Sequence, residues 1–178
     1  MLSLKSVEYS VGEFKLKADF KIPRLSKVAL IGPSGAGKST LLSLISGFLK
    51  PNSGSIIIDN EDVTTKLSNQ RRVTTIFQDG NLFPHLTVKK NISLGLRPDL
   101  RLNSAQQSVL DYAIDRVGLT DLVDRKPGSL SGGQQSRVSL ARALVRDCPL
   151  LLLDEPFSAL GPSLKSDMIE LVDQISNE

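Results

Sequence analysis

The sequence predicts an α/β fold in one domain of 178 residues, on three observations. Apolar and polar residues alternate over 14–22, which is the period of a half-buried strand. The apolar run 28–31 leads into a glycine-rich loop, and the helical segment 38–46 follows it. Apolar residues at helical spacing dominate the region 78–148. Strands at both ends with a mostly helical middle indicate the α/β class.

Six segments have the alternating or continuously apolar pattern of strands. They cover residues 2–9, 14–22, 28–31, 56–58, 73–77 and 150–153. The first two are predicted to pair across a turn at Gly12. The last is apolar throughout, so we expect it to be buried on both faces.

Three further helices are predicted from capping signals and apolar faces. Ser104 begins one of them, with Gln107 at the capping-box spacing. Ser131 can cap a second, and Pro162 opens a third, since proline is favoured in a first helical turn. The residues predicted to be buried are Leu110, Ala113, Ile114 and Val117, then Val138, Ala141, Leu144 and Val145, then Met168, Leu171, Val172 and Ile175.

Composition limits the functional classes. The net charge of +3, from 22 basic and 19 acidic side chains, is too small to indicate a nucleic-acid partner. One cysteine, Cys148, excludes an internal disulfide framework and suits a reducing compartment. No apolar run approaches the ~18–20 residues needed to cross a bilayer. A membrane role would therefore come through a partner protein.

The segment 32–40 has the full spacing of a phosphate-binding P-loop. Glycines allow successive N–H groups to turn towards phosphate oxygens, and the following helix adds its positive end. Lys38 is predicted to reach the outer phosphates of ATP, and Ser39 to bind Mg²⁺ through its hydroxyl. The alternative is a glycine turn that only joins a strand to a helix. The predicted ATP-binding residues are Gly32, Pro33, Ser34, Gly35, Ala36, Gly37, Lys38, Ser39 and Thr40.

Two carboxylates, Asp154 and Glu155, follow the apolar run 150–153. Mg²⁺ prefers oxygen ligands and keeps several waters, so Asp154 is predicted to hold it through water. Glu155 is predicted to polarise the attacking water as a general base. The alternative is a solvated acidic pair after a core strand.

A second serine–glycine motif, Ser131-Gly132-Gly133-Gln134, predicts another helix start with free N–H groups that could bind an anion. One triphosphate hardly needs two such sites in one chain. Two copies arranged head to tail would use both, because each copy's motif would contact the γ-phosphate held by the other. The alternative is an ordinary capped helix.

Taken together, these motifs resemble the nucleotide-binding domain of ABC transporter ATPases over essentially the whole chain. The signature motif matches 130–134, Walker A matches 32–40 and Walker B ends at Glu155. The resemblance implies that Gln78 is the Q-loop glutamine, a metal ligand and catalytic residue that senses both the metal and the transmembrane partner. It also implies that Lys38 is catalytic and that Tyr9 stacks on adenine. The implied fold is a P-loop NTPase (RecA-like) core with an N-terminal antiparallel β subdomain and an inserted helical subdomain. The implied parts of this one domain are 1–77, 78–148 and 149–178.

Segments between the motifs resemble bacterial importers of the binding-protein-dependent kind. They are 81–88, 91–96 and 158–160, and segment 95–107 favours thiamine over iron, polyamine or molybdate as cargo. The resemblance implies a homodimer that docks on transmembrane permease subunits at the cytoplasmic face of the bacterial inner membrane. A periplasmic solute-binding protein would take part indirectly. A soluble ABC ATPase without a permease is the alternative.

The chain departs from the family pattern at two places. Gly161 stands where the family usually has the D-loop aspartate, and Gln135 replaces a basic residue after the signature. The family also continues past the last helix with a further strand and a switch histidine, whereas the single histidine here is His85. We therefore expect a C-terminally truncated copy with final strands missing, or a piece of a longer protein. We also expect ATP binding with turnover below that of a complete relative.

Overall fold

The fold was analysed in a computed structural model, which describes residues 1–77, 81–158 and 160–175. The chain divides into two compact units, Met1–Thr74 and Thr75–Glu178. Each unit is described by itself. The elements, in chain order, are β1 (Leu2–Val11), β2 (Phe14–Ile22), α1 (Lys38–Ser46), β3 (Ser53–Ile58), β4 (Glu61–Asp62), β5 (Val73–Ile76), α2 (Val88–Ser93), α3 (Ser104–Arg116), α4 (Gly132–Leu144), β6 (Leu150–Leu153) and α5 (Pro162–Ile175).

The first unit contains a four-stranded antiparallel sheet in the order β2-β1-β3-β4. The predicted pairing of β1 with β2 is confirmed, and Gly12 turns the chain between them with φ 56°. Leu4, Val7 and Ile56 are almost completely buried, and the apolar face of β2 is half-buried as its alternation predicted. A shift in register between Leu4 and Val7 marks a bulge in β1.

The strand predicted at 28–31 is wrong. These residues have no strand conformation, and Val28 and Ile31 are 63% and 90% exposed. An apolar strand acquires its conformation from hydrogen bonds to neighbours on both sides. Within the part of the chain that the structure describes, this run joins neither sheet. An apolar sequence alone therefore does not make residues 28–31 a buried strand.

In the second unit, a two-stranded sheet pairs β5 with β6, and helices supply most of the core. One cluster joins α2, α3 and α4 through residues such as Val88, Ile114 and Val138. A second joins Ile76, Leu140, Ala143, Phe157 and Met168. The expectation that β6 is buried on both faces is wrong, because only Leu152 is fully buried and its neighbours are half-buried.

The helix ends agree with their capping signals, with one correction. α1 covers 38–46 and ends at Gly47 as predicted, and Ser131 caps α4. The cap of α3 is Asn103 with Gln106, one residue before the predicted Ser104 and Gln107. Both pairs have suitable side chains at the required spacing, so the sequence pattern permitted either.

The predicted buried faces of these helices are largely confirmed. The residues found buried are Leu110, Ala113, Ile114, Val117, Val138, Ala141, Val145 and Met168. The half-buried ones are Leu144, Leu171 and Val172, and the side chain of Ile175 lies outside the described part. No helix in the described part of the chain is long and apolar enough to cross a membrane.

Candidate nucleotide-binding site

Within the P-loop, Gly37 has a backbone conformation and a close contact that disfavour any side chain. Gly37 stands at the N-cap of α1 with φ 92°, a left-handed conformation that favours glycine. A Cβ atom at this position would lie 2.8 Å from the Phe14 ring and 3.1 Å from Leu16. Because Gly37 has no side chain, none caps the first turn of α1. Backbone amides at the start of a helix are groups that phosphate oxygens bind.

The ammonium group of Lys38 bridges the loop. Its Nζ donates to the carbonyl oxygens of Gly32 and Pro33, at 2.9 Å each, and Ala36 N donates to Pro33 O at 3.2 Å. Residues 32–36 are exposed. An exposed loop with a lysine ammonium and an uncapped helix start is chemically suited to a phosphate chain. These residues therefore fit the phosphates of ATP.

Tyr9 lies on the sheet face that meets the P-loop. It is the cross-strand partner of Leu16, and Val11 is that of Phe14, so the four side chains share one face. Leu16 and Phe14 are also the side chains nearest to Gly37. The alternating sequence pattern predicts Phe14 only as a strand residue. Its contact with the loop joins residues distant in sequence, and local periodicity carries no signal for it.

The predicted metal ligand Asp154 and the predicted general base Glu155 follow β6 as expected. Asp154 is half-buried and its amide donates to Ile76 O at 3.0 Å, which continues the pairing of β6 with β5. Glu155 is exposed and has φ 48°. Ser158 N donates to Glu155 O at 3.1 Å, so a tight turn follows the strand. The turn presents the Glu155 side chain to solvent.

The residues predicted from the sequence to bind Mg²⁺ carry oxygen donors. Asp154 offers a carboxylate and Ser39 a hydroxyl, both of which are ligands that Mg²⁺ accepts together with water and phosphate. Within the described residues, no group of three or more His, Cys, Asp or Glu side chains could hold a metal alone. Gln78, also predicted as a ligand and catalytic residue, lies outside the described residues.

The signature segment forms a capping box at the start of α4. Ser131 Oγ accepts from Gln134 N at 3.3 Å, and the Gln134 side chain accepts from Ser131 N at 2.9 Å. The expectation of free N–H groups throughout this motif is therefore wrong for the amide of Gln134. The amides of Gly132 and Gly133 precede the first backbone bond of α4, from Gln135 N to Ser131 O. They remain suited to an anion.

The second unit brings its motifs together through one core. The cluster of Leu140, Ala143, Phe157 and Met168 joins α4, the turn after Glu155, and α5. Leu164 packs at 3.5 Å from the position that a Cβ on Gly133 would occupy. Beside the signature helix is a cavity of about 280 Å³, lined by Gly118, Ser131, Gly133, Gln134, Arg137, Leu164 and Met168.

A P-loop before the first helix and paired carboxylates after a sheet strand define an α/β P-loop ATPase. The chain belongs to the ABC transporter family, whose model matches residues 16–158. ATP hydrolysis coupled to transport is the activity of this family and of this chain.

Named relatives and solved structures extend the comparison. The chain is 50% identical over 175 residues to the thiamine import ATP-binding protein of Yersinia pestis, covering 98% of this chain and 74% of that protein. It is 50% identical over 178 residues to the same-named protein of Ruegeria sp. (strain TM1040), covering 100% and 77%. The dimeric ATP-binding cassette MJ0796 with ADP and phosphate has a TM-score of 0.82, at 30% identity over 99% of this chain and 83% of that one. A nucleotide-free cassette from an ABC transporter has a TM-score of 0.87, at 27% identity over 99% and 77%.

Proposed function

We propose that this chain is the ATP-binding subunit of a bacterial binding-protein-dependent importer, with thiamine as its cargo. The single observation that carries the proposal is the 50% identity, over 98% of the chain, to a relative named as a thiamine import ATP-binding protein. A second relative of the same name agrees over the whole chain. The chain would act as one ATPase domain over 1–178, with the parts predicted above.

The P-loop would bind the phosphates of ATP in its amide groups. Residues 32–40 supply these groups, and the Lys38 ammonium would move from the Gly32 and Pro33 carbonyls to the outer phosphates. That exchange replaces two neutral acceptors by charged ones, which strengthens the hydrogen bonds. Tyr9 would stack on adenine from the sheet face shared with Phe14.

The carboxylates after β6 would perform the hydrolytic step. Asp154, Ser39 and Gln78 would hold Mg²⁺, which neutralises charge on the phosphates when bound. Glu155 would accept a proton from the attacking water, and its exposed position at the turn leaves room for that water. Lys38 would stabilise charge on the transferred phosphoryl group.

Two copies would complete each site. The signature residues Ser131, Gly132, Gly133 and Gln134 of one copy would contact the ATP held by the other, through the glycine amides at the start of α4. The dimeric arrangement of a structural relative, MJ0796, supports this proposal. ATP bound more tightly by the closed pair would shift the population towards closure.

The proposed partners are transmembrane permease subunits at the cytoplasmic face of the inner membrane. The chain would be peripheral there, and the helical region 78–148 would transmit the closing motion to the permease. A periplasmic thiamine-binding protein would deliver the cargo without touching this chain. Nucleic acid is not among the proposed partners.

Uptake of labelled thiamine tests the proposal directly. The gene is expressed with its permease and binding protein in cells that lack their own thiamine importer, and uptake is compared with that of iron, a polyamine and molybdate. We expect thiamine uptake that Lys38→Ala abolishes and that Lys15→Ala, an exposed lysine of β2, retains. Uptake of one of the other solutes in place of thiamine would reject thiamine as the cargo. ATPase activity without any interaction with a permease would favour the non-transport alternative.

A further inference from the structure

The opposite end of the P-loop helix α1 is held by a buried arginine. Arg71 is only 3% exposed, although it belongs to no helix or strand. Its Nη1 donates to the carbonyl oxygens of Leu44 and Ile45, at 2.7 and 2.8 Å, which lie in the last turn of α1. Those carbonyls belong to the last turn, where intrahelical donors are lacking. The arginine donates to both carbonyls, and Leu44 O also accepts from Gly47 N at 3.3 Å.

The same guanidinium reaches a second segment. Nε donates to Lys66 O at 2.9 Å, and Nη2 donates to Thr64 O at 3.2 Å. Arg71 therefore connects the end of α1 to the segment that follows β4. The fork geometry of a guanidinium is what allows one side chain to bond two separate segments, which an ammonium cannot reproduce.

The charge of Arg71 is suited to its place. Burial lowers the pKa of this guanidinium, and the nearby Asp62 carboxylate acts in the opposite direction. An arginine stays protonated in a protein even so. The negative end of the α1 dipole lies at Leu44 and Ile45, so the buried cation is stabilised by the helix that it holds.

Gly47 leaves the space that this arrangement needs. A Cβ atom at position 47 would lie 2.5 Å from Arg71 Nε. The glycine also has φ 83° at the C-cap, and its amide donates to Leu44 O. The Arg71 side chain thus packs directly against Gly47 at the C-terminal end of α1.

We propose that Arg71 is a positioning residue for ATP binding: it fixes the end of α1 to the 64–66 segment and so holds the phosphate-binding start of the same helix in place. α1 has only nine residues, and helices this short are marginal without tertiary support. Its first turn carries the amides of the P-loop site. Movement at one end of so short a rigid element is transmitted to the other. The inference rests on the proposed assignment of residues 32–40 as the ATP site.

Three variants test this role through ATP affinity. Arg71→Met removes the donors and the charge, Arg71→Lys keeps the charge, and Arg72→Met makes the same change at the neighbouring exposed arginine. We expect the Kd for ATP to rise about tenfold in Arg71→Met, as loss of charged hydrogen bonds would produce. Arg71→Lys should fall in between, and Arg72→Met should match the wild type. In hydrolysis the change should appear in KM more than in kcat, because ground-state binding is what weakens.

A control variant shows whether a loss of ATP affinity comes from lost positioning of α1 or only from lower stability of the fold. Ile58→Ala truncates a buried residue of β3, and it is compared with Arg71→Met at temperatures where equal fractions are folded. An equal loss of ATP affinity in the two variants would overturn the proposal, because a merely structural role predicts that result. The proposal would also be overturned if Arg71→Lys and Arg71→Met both bound ATP with wild-type affinity.

The wild-type protein offers a test that needs no stable variant. Coupling between the two ends of α1 is reciprocal, so bound ATP should slow the exchange of the Arg71 Nε proton with solvent. The measurement is NMR of the arginine side chains with and without ATP. An exchange rate unaltered by ATP would contradict the proposal. Wild-type ATP affinity in Lys38→Ala would instead reject the site assignment, so the two failures are distinguishable.

Discussion

Glu155 combines a predicted chemical role with an uncommon backbone conformation. Its φ of 48° is left-handed, which costs a non-glycine residue on the order of 1 kcal/mol or more. The turn that follows β6 imposes this conformation, since Ser158 N bonds to Glu155 O. The side chain is exposed as a result and can meet water. The sequence indicated the carboxylate and its position, whereas the conformation was visible only in the structure.

Substitution of Glu155 by glutamine should separate binding from hydrolysis. We expect Glu155→Gln to lower kcat by about 10²–10⁴, the usual contribution of a general base, while the Kd for ATP stays unchanged. The backbone tolerates the two residues equally, so stability should not change. Steady-state ATPase assays and calorimetric titration with ATP measure the two quantities. Glu170→Gln, an exposed residue of α5, is the control, and kcat within twofold of wild type in Glu155→Gln would reject the assignment.

Arg71 and Phe14 make long-range contacts that the sequence pattern did not predict. Arg71 bonds to carbonyls up to 27 residues away, and Phe14 approaches Gly37 across a loop. Every residue carries the same backbone carbonyl, so no sequence motif indicates which side chain will bind to one. The P-loop itself was predictable because its chemistry lies in consecutive residues.

Helix ends were the most predictable elements of this chain. The limits of α1, which ends at Gly47, are confirmed. The cap of α4 is confirmed as well, since its capping side chain and the partner are only three residues apart. The cap of α3 was placed one residue late, because Asn103 competes with Ser104 for the same task. Local hydrogen bonding therefore determines that a helix starts, and the detailed geometry decides between adjacent caps.

At the start of α5, one substitution of Gly161 should stabilise the protein and another should destabilise it. Gly161 precedes Pro162 at the cap position, and Lys165 N donates to its carbonyl. A Cβ at position 161 would meet nothing within 4 Å, and its φ is not left-handed, so new side chains should fit. We expect Gly161→Asp to raise the free energy of unfolding by a few tenths of a kcal/mol, and Gly161→Ala to lower it by about 0.5–1 kcal/mol. Urea unfolding measures both, and equal shifts in the two variants would contradict the capping argument.

At the scale of the whole molecule, the acidic side chains predict how stability depends on pH. Hydrogen bonds from the Thr64 hydroxyl and amide lower the pKa of Asp62, and the Arg97 guanidinium lowers that of Asp99. The Lys17 ammonium does the same for Glu8. The folded state therefore binds protons less readily than the unfolded state. The stabilisation is complete above the ordinary carboxyl pKa of about 4 and is lost as pH falls through the lower folded values.

We therefore expect the urea midpoint to be constant between pH 7 and 5 and to fall steeply below about pH 4. Asp62→Asn should flatten part of that fall, because the amide cannot titrate. A midpoint that rises on acidification would contradict the sign of these pKa shifts.

The alternating pattern of β2, the span of α1 and the order of the phosphate-handling motifs were all determined by the sequence alone. Each depends on residues that are neighbours along the chain, where periodicity and capping act directly. Tertiary structure decided the rest. It left the apolar run 28–31 exposed and β6 only half-buried, because burial requires a partner that no local pattern specifies. It also brought the Arg71 guanidinium to the end of α1, since long-range packing alone determines which backbone carbonyls meet a buried cation.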